Sequence, residues 1–122
     1  MRNILIHPDE LQTDDLMLLI FSPTPQDRTF KIQMEQFDNL RVALLEHHIV
    51  LGEVFEGLDG HIGSENLPPE VCQNLRRRFD IPDGRFSVML VDRESQIKLI
   101  ADSCVSYEEI VMRVENEYHH QA

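Results

Sequence analysis

The sequence predicts an α/β domain built on one mixed β-sheet, and three observations carry that prediction. The run Leu16-Met17-Leu18-Leu19-Ile20-Phe21 is apolar throughout. It lacks the alternation of a strand that faces water on one side, so it reads as a central strand covered on both faces. A helical stripe and a second apolar run, Ile49-Val50-Leu51-Gly52-Glu53-Val54-Phe55, follow it. Strand, helix and strand with short connections make a right-handed unit with parallel strands. The last third changes rhythm: Phe86–Val91 and Ile97–Ala101 are separated only by Asp92-Arg93-Glu94-Ser95-Gln96, the pattern of a hairpin with a polar turn.

The elements follow in order. Ile4 to Ile6 predicts a short edge strand or strap ended by Pro8. After the first central strand, Thr24-Pro25-Gln26-Asp27 predicts a helix start, with Thr24 as N-cap and Pro25 at the first helical position. Phe30, Met34, Phe37, Leu40, Leu44 and Leu45 recur at helical spacing, which carries this helix to about Glu46. A glycine-rich loop with Gly57, Gly60 and Gly63 follows the second strand. Pro68-Pro69 opens a helix with Val71, Cys72, Leu75 and Phe79 on one face, ended by Pro82-Asp83-Gly84. After the hairpin, Ser106-Tyr107-Glu108-Glu109 is a capping box for a last helix with the stripe Tyr107, Ile110, Val111, Val114 and Tyr118.

The resulting order, βαβ-α-ββα, is the thioredoxin arrangement: a central four-stranded mixed sheet flanked by helices, with the first strand in the middle. In proteins of that fold the junction after the first strand holds the redox cysteines. Here it holds Ser22-Pro23-Thr24.

Leu18-Leu19-Ile20-Phe21-Ser22-Pro23, Leu75-Arg76-Arg77-Arg78-Phe79 and the stretch from Gly84 to Arg93 together resemble a known group. That group is the thioredoxin-like domain of unknown function called P-DUDES, found singly in bacteria and repeated in vertebrate matrix proteins of the sushi-repeat-containing type. The resemblance covers roughly Leu16 to Tyr118. It implies a thioredoxin-like fold, nearest to peroxiredoxins, and carries over no established activity.

A chain of 122 residues with 42 % hydrophobic content fits one domain, spanning 1–122, in which 1–15 form the N-terminal strand or strap. The net charge of −11, from 22 acidic and 11 basic residues, repels phosphate backbones and argues against nucleic acid as a partner. The opening apolar run is too short for a signal peptide or a membrane span. The expected setting is cytoplasmic as given, or secreted if a leader has been removed, with no membrane partner.

Cys72 and Cys104 are too few for a disulfide framework and too far apart for a Cys-x-x-Cys motif. Cys72 reads as a small core residue and Cys104 as part of a turn after the fourth strand. The histidines form the doublets His47-His48 and His119-His120, with His7 and His61 single, and adjacent residues rarely chelate one ion. Neither a metal nor a cofactor is implied. Arg76-Arg77-Arg78 reads as surface arginines on an acidic chain, or as a docking patch for an acidic partner or a second copy.

Three residues form the candidate ligand site. Ser22 and Thr24 lie at the helix start, where free amides and the helix dipole favour an anion. Arg85, in the loop that enters the third strand, closes the far side. The competing reading makes Thr24 a cap and Ser22 a turn residue. Two functions follow. One is a thioredoxin-like module without Cys-x-x-Cys that binds an unknown protein partner or a second copy of itself, with no catalytic residue. The other is a divergent peroxiredoxin-like or reductase-like enzyme using Ser22, Thr24 and Arg85 or a displaced cysteine.

Overall fold

The computed structural model describes residues 16–120. The strand or strap expected at Ile4 to Ile6 lies outside them. The described elements are strands β1 (Leu16–Phe21), β2 (Ile49–Val54), β3 (Gly60–Ile62), β4 (Glu65–Leu67), β5 (Ser87–Val91) and β6 (Ile97–Ala101), with helices α1 (Arg28–Phe37), α2 (Arg41–Glu46), α3 (Pro69–Arg78) and α4 (Tyr107–His120). The sheet order is β4-β3-β2-β1-β5-β6. β1 pairs in parallel with β2, Leu16 opposite Ile49, and antiparallel with β5, Leu19 opposite Met89.

Every residue of β1 is buried, as its unbroken apolar run requires. Alternate side chains enter two cores. Leu16, Leu18 and Ile20 meet Phe30, Met34 and Phe37 of α1 and Ile110 and Val114 of α4. Met17, Leu19 and Phe21 meet Cys72 and Leu75 of α3 on the other face. The period of two along the strand thus produces a three-layer domain.

The four expected strands stand in the expected relation, and two short strands extend the sheet beyond them. The segment read as a glycine-rich loop contains the hairpin β3–β4, and β3 pairs with β2 at Gly52 and Glu53. The first helix also differs. Thr24 does not cap it: Thr24 to Asp27 form a turn closed by the Asp27 N–H on the Thr24 carbonyl at 3.2 Å. The helix begins at Arg28, with the Asp27 carboxylate accepting from the Phe30 N–H at 3.2 Å. It then breaks at a 3-10 turn over Asp38–Leu40 before α2. Asp38 and Asn39 compete locally for backbone hydrogen bonds and weaken the helix there. Beyond the break Leu44 is buried but Leu45 is 59 % exposed.

A buried amide ties the loop after β6 to α1. Gln33 Nε2 donates to the Val105 carbonyl at 2.9 Å, and its Oε1 accepts from the Val105 N–H at 2.7 Å. Gln33 is fully buried, so Gln33→Ala should leave both backbone groups unsatisfied and cost about 1–3 kcal/mol. Urea unfolding checks this, and Gln33→Asn should not rescue it, because the shorter side chain cannot span the pair.

Candidate functional site

The carboxyl ends of β1 and β2 lie side by side, and the strand order reverses direction there, with β2 on one flank of β1 and β5 on the other. Open α/β sheets bind ligands in the crevice outside such a switch point. Three segments meet at this end: the turn after β1, the loop after β2, and the loop entering β5. The Ser22 N–H donates to the Val54 carbonyl at 3.0 Å, and the Glu56 N–H to the Pro23 carbonyl at 3.2 Å. The backbone therefore holds the first two segments together.

Ser22 is fully buried, and its hydroxyl donates to the Thr24 carbonyl at 2.9 Å. Thr24 is exposed, with Oγ1 accepting from the Gln26 N–H at 3.1 Å. Both hydroxyls thus serve the turn. The first turn of α1 is already served by the Asp27 carboxylate, a negative group in the place an incoming anion would take. Arg85 lies elsewhere at this end. It lines a groove that includes Asp80, Asp102 and Ser87, and neither Ser22 nor Thr24 belongs to that lining.

Arg76 fastens the third segment to the second. One turn after Cys72 it shares the buried face of α3 and is 1 % exposed, which corrects its reading as a surface arginine. Its Nη2 donates to Glu56 Oε2 at 2.9 Å and to the Pro82 carbonyl at 2.7 Å. The same Glu56 oxygen accepts from the Gly84 N–H at 2.7 Å. Gly84 has φ +80, a conformation that suits glycine in this turn. A charge-assisted clasp therefore fixes the loop that presents Arg85. The sequence carried a signal for it, since Arg76 stands four residues after Cys72 on the apolar stripe.

The two thiols differ in place but not in state. Cys72 is fully buried under β3, and burial pushes its thiol above the ordinary range. Cys104 follows β6 at the same end of the sheet as the turn after β1. Its Sγ lies 3.6 Å from the Thr29 carbonyl in the first turn of α1, closer to the junction than its sequence position suggested. Burial pushes this thiol up as well. Both cysteines are free.

A second polar cluster lies across β2 and β3. His61 Nε2 stands 3.1 Å from Glu53 Oε1, and Arg41 Nη2 stands 3.4 Å from Glu53 Oε2 and 3.0 Å from Asp38 Oδ1. The hydrogen bond to Glu53 outweighs burial and raises the His61 pKa. For Glu53 burial is the largest influence and opposes its charge, but His61 and Arg41 together overcome it and hold the carboxyl below its usual range. Protonated His61 therefore stabilises the fold below its unfolded pKa of about 6.5, and that contribution is lost as pH rises through the higher folded value. Glu53 contributes above its unfolded pKa of about 4.3, and that contribution is lost as pH falls through the lower folded value. The cluster should stabilise most between those limits. Urea midpoints followed upward from pH 5.5 should decline less for His61→Asn than for the unaltered chain.

Comparisons with known proteins agree with this architecture. The chain superimposes on the reduced Plasmodium vivax 2-Cys peroxiredoxin with TM-score 0.64 and 15 % identity, covering 88 % of this chain and 79 % of that one. It superimposes on Mycobacterium tuberculosis AhpC with TM-score 0.65 and 12 % identity, covering 93 % and 74 %. For StoA from Bacillus subtilis the values are 0.50, 10 %, 84 % and 84 %. At these identities the likeness establishes the thioredoxin-like fold. In sequence it is similar to the human sushi repeat-containing protein SRPX, 29 % identical over 93 residues, and to the rat protein of that name at 28 %. The chain spans about a fifth of the length of these curated relatives, and the match covers 74 % of the chain itself. The resemblance read from the strand and arginine motifs thus holds. Residues 8–116 match the family described as Domain of unknown function (DUF4174), and the chain belongs to that family.

Proposed function

We propose that this chain is a thioredoxin-like binding module that works from the carboxyl end of its sheet without thiol redox chemistry. The observation that carries this reading is the state of the junction after β1. The residue there is a buried serine whose hydroxyl is committed to the Thr24 carbonyl. A nucleophile needs access and an activating base, and Ser22 has neither among the described residues. The two thiols are held in the protonated form by burial, the opposite of the electropositive surroundings that activate a cysteine. The loops at this end are braced by Arg76 and Glu56, which suits a preorganised contact surface. A protein partner or a second copy is the expected class of macromolecular ligand, since the charge of −11 disfavours nucleic acid.

One observation favours the second reading, a peroxiredoxin-like enzyme with a displaced cysteine: Cys104 lies against the first turn of α1. Peroxide consumption and disulfide reduction by the pure protein, beside Cys72→Ser/Cys104→Ser, separate the two. The binding module gives no turnover above buffer with either protein. Turnover lost in the double variant overturns it in favour of the enzyme.

A further inference from the structure

The groove at Arg85 is separate from Ser22 and Thr24, neither of which lines it. It lies between the end of α3 and the end of β6, with a volume of about 330 Å³, the small end of the roughly 300–1,000 Å³ typical of ligand pockets. Phe79, Ile81 and Ile100 give it apolar surface, and Arg85, Asp80 and Asp102 give it charges of both signs. Opposite charges that share a groove ordinarily pair. Here Arg85 makes no ion pair with either aspartate or with any other described residue.

The backbone that carries Asp80 and Arg85 is fixed from outside the groove. Asp80 sits in the left-handed turn that ends α3, at φ 59, where its N–H donates to the Arg77 carbonyl at 3.2 Å and that of Ile81 to the Arg76 carbonyl at 2.8 Å. The loop carrying Arg85 is fixed by Arg76 on the Pro82 carbonyl and by Glu56 on the Gly84 N–H. Ile100 is 60 % exposed beside them, an apolar surface that no described residue covers.

A ligand that satisfies both signs must itself carry both. A simple anion would meet Arg85 but also two carboxylates and the field of a chain at −11, whereas a zwitterion has no net charge to be repelled. The groove, about 330 Å³ with Phe79, Ile81 and Ile100 beside the charges, also offers apolar contacts beyond those a single small amino acid would use. We propose that this groove binds a short zwitterionic peptide with apolar side chains. Its carboxylate pairs with Arg85, its ammonium with Asp80 and Asp102, and an apolar side chain covers Ile100 and Phe79. This rests on the reading of the chain as a binding module and names its ligand class.

The test titrates the dipeptide leucyl-leucine, its N-acetyl form, its C-terminal amide and the doubly capped form against the full chain, following backbone amide shifts. The expected result is saturable shifts over residues 80–87 and 100–102 for leucyl-leucine, with each cap weakening binding at least tenfold. Arg85→Gln should abolish the effect of the amide cap, and Asp80→Asn/Asp102→Asn that of the acetyl cap. All three residues are exposed, so the variants should fold, as their unaltered amide spectra elsewhere would confirm. Absence of saturation overturns the proposal. Equal binding of the doubly capped form, an apolar contact alone, overturns it. Equal binding of the N-acetyl form, a plain anion site, also overturns it. Peroxide and disulfide assays do not depend on this groove, so the ligand class and the redox-free reading fail separately.

Discussion

Glu56→Ala should cost about 3 kcal/mol of stability, the lower end of what removing one member of a buried ion pair costs. The lower end applies because the Glu56 side chain is 28 % exposed while that of Arg76 is 1 % exposed. The loss arises chiefly at Arg76. Its charge stays buried with only the Pro82 carbonyl as partner, and Nε and Nη1 have no partner among the described residues. The Gly84 N–H loses its acceptor at the same time. Arg76→Met/Glu56→Gln removes the buried charge and keeps a polar acceptor for Gly84, so it should be more stable than Glu56→Ala alone. Urea denaturation of the three proteins measures this. A cost below about 1 kcal/mol for Glu56→Ala would match a surface ion pair, and the clasp would then not be what braces the loops.

Gly60→Ala should be nearly as damaging. A Cβ on Gly60 would collide with the Glu53 carbonyl oxygen, and it would stand 3.1 Å from Cys72 Sγ. The obstacle is backbone, which cannot swing aside, so β3 must move off β2. Overpacking of this kind costs about 1–3 kcal/mol, and the upper end applies where a strand has to shift. Such a shift would also break the pairing of Glu53 with His61. Gly60→Ala should therefore unfold at lower urea and also lose the decline in stability above pH 5.5 that His61 gives the unaltered chain. A melt identical to the unaltered chain would contradict the register of β2 and β3.

What the sequence made legible follows from how strongly each segment is constrained. β1 is apolar on both faces because it lies between two helical layers, so its six residues announced a central strand. The pair β5–β6 showed itself through a polar turn between apolar runs. The hairpin β3–β4 did not, because three-residue strands carry too little periodicity, and its glycines serve a close approach at Gly60 and a turn at Gly63. The start of α1 was misplaced by three residues because Thr24-Pro25 and Asp27 are both good helix openings. The turn closed by Ser22 and Thr24 selects the second.

The site divides in the same way. The position of Ser22 and Thr24 after β1 was legible from local pattern, whereas what their hydroxyls contact was not. Arg76 stood at core spacing, but its charge and two arginine neighbours pointed to the surface. Only the fold shows Glu56, twenty residues earlier, reaching it. The sequence placed Arg85 in the loop that enters β5, and the structure does the same. Its groove, however, depends on β6 meeting the end of α3, a long-range contact that no local pattern encodes.

A binding module without thiol redox chemistry requires that no activated thiol stand at the carboxyl end of the sheet. The most direct test is the pH dependence of alkylation at Cys104, measured by iodoacetamide labelling of Cys72→Ser. Burial beside α1 predicts a titration midpoint above the ordinary thiol range and slow labelling at neutral pH. A midpoint near or below neutrality would mean a stabilised thiolate at the first turn of α1 and would contradict the account.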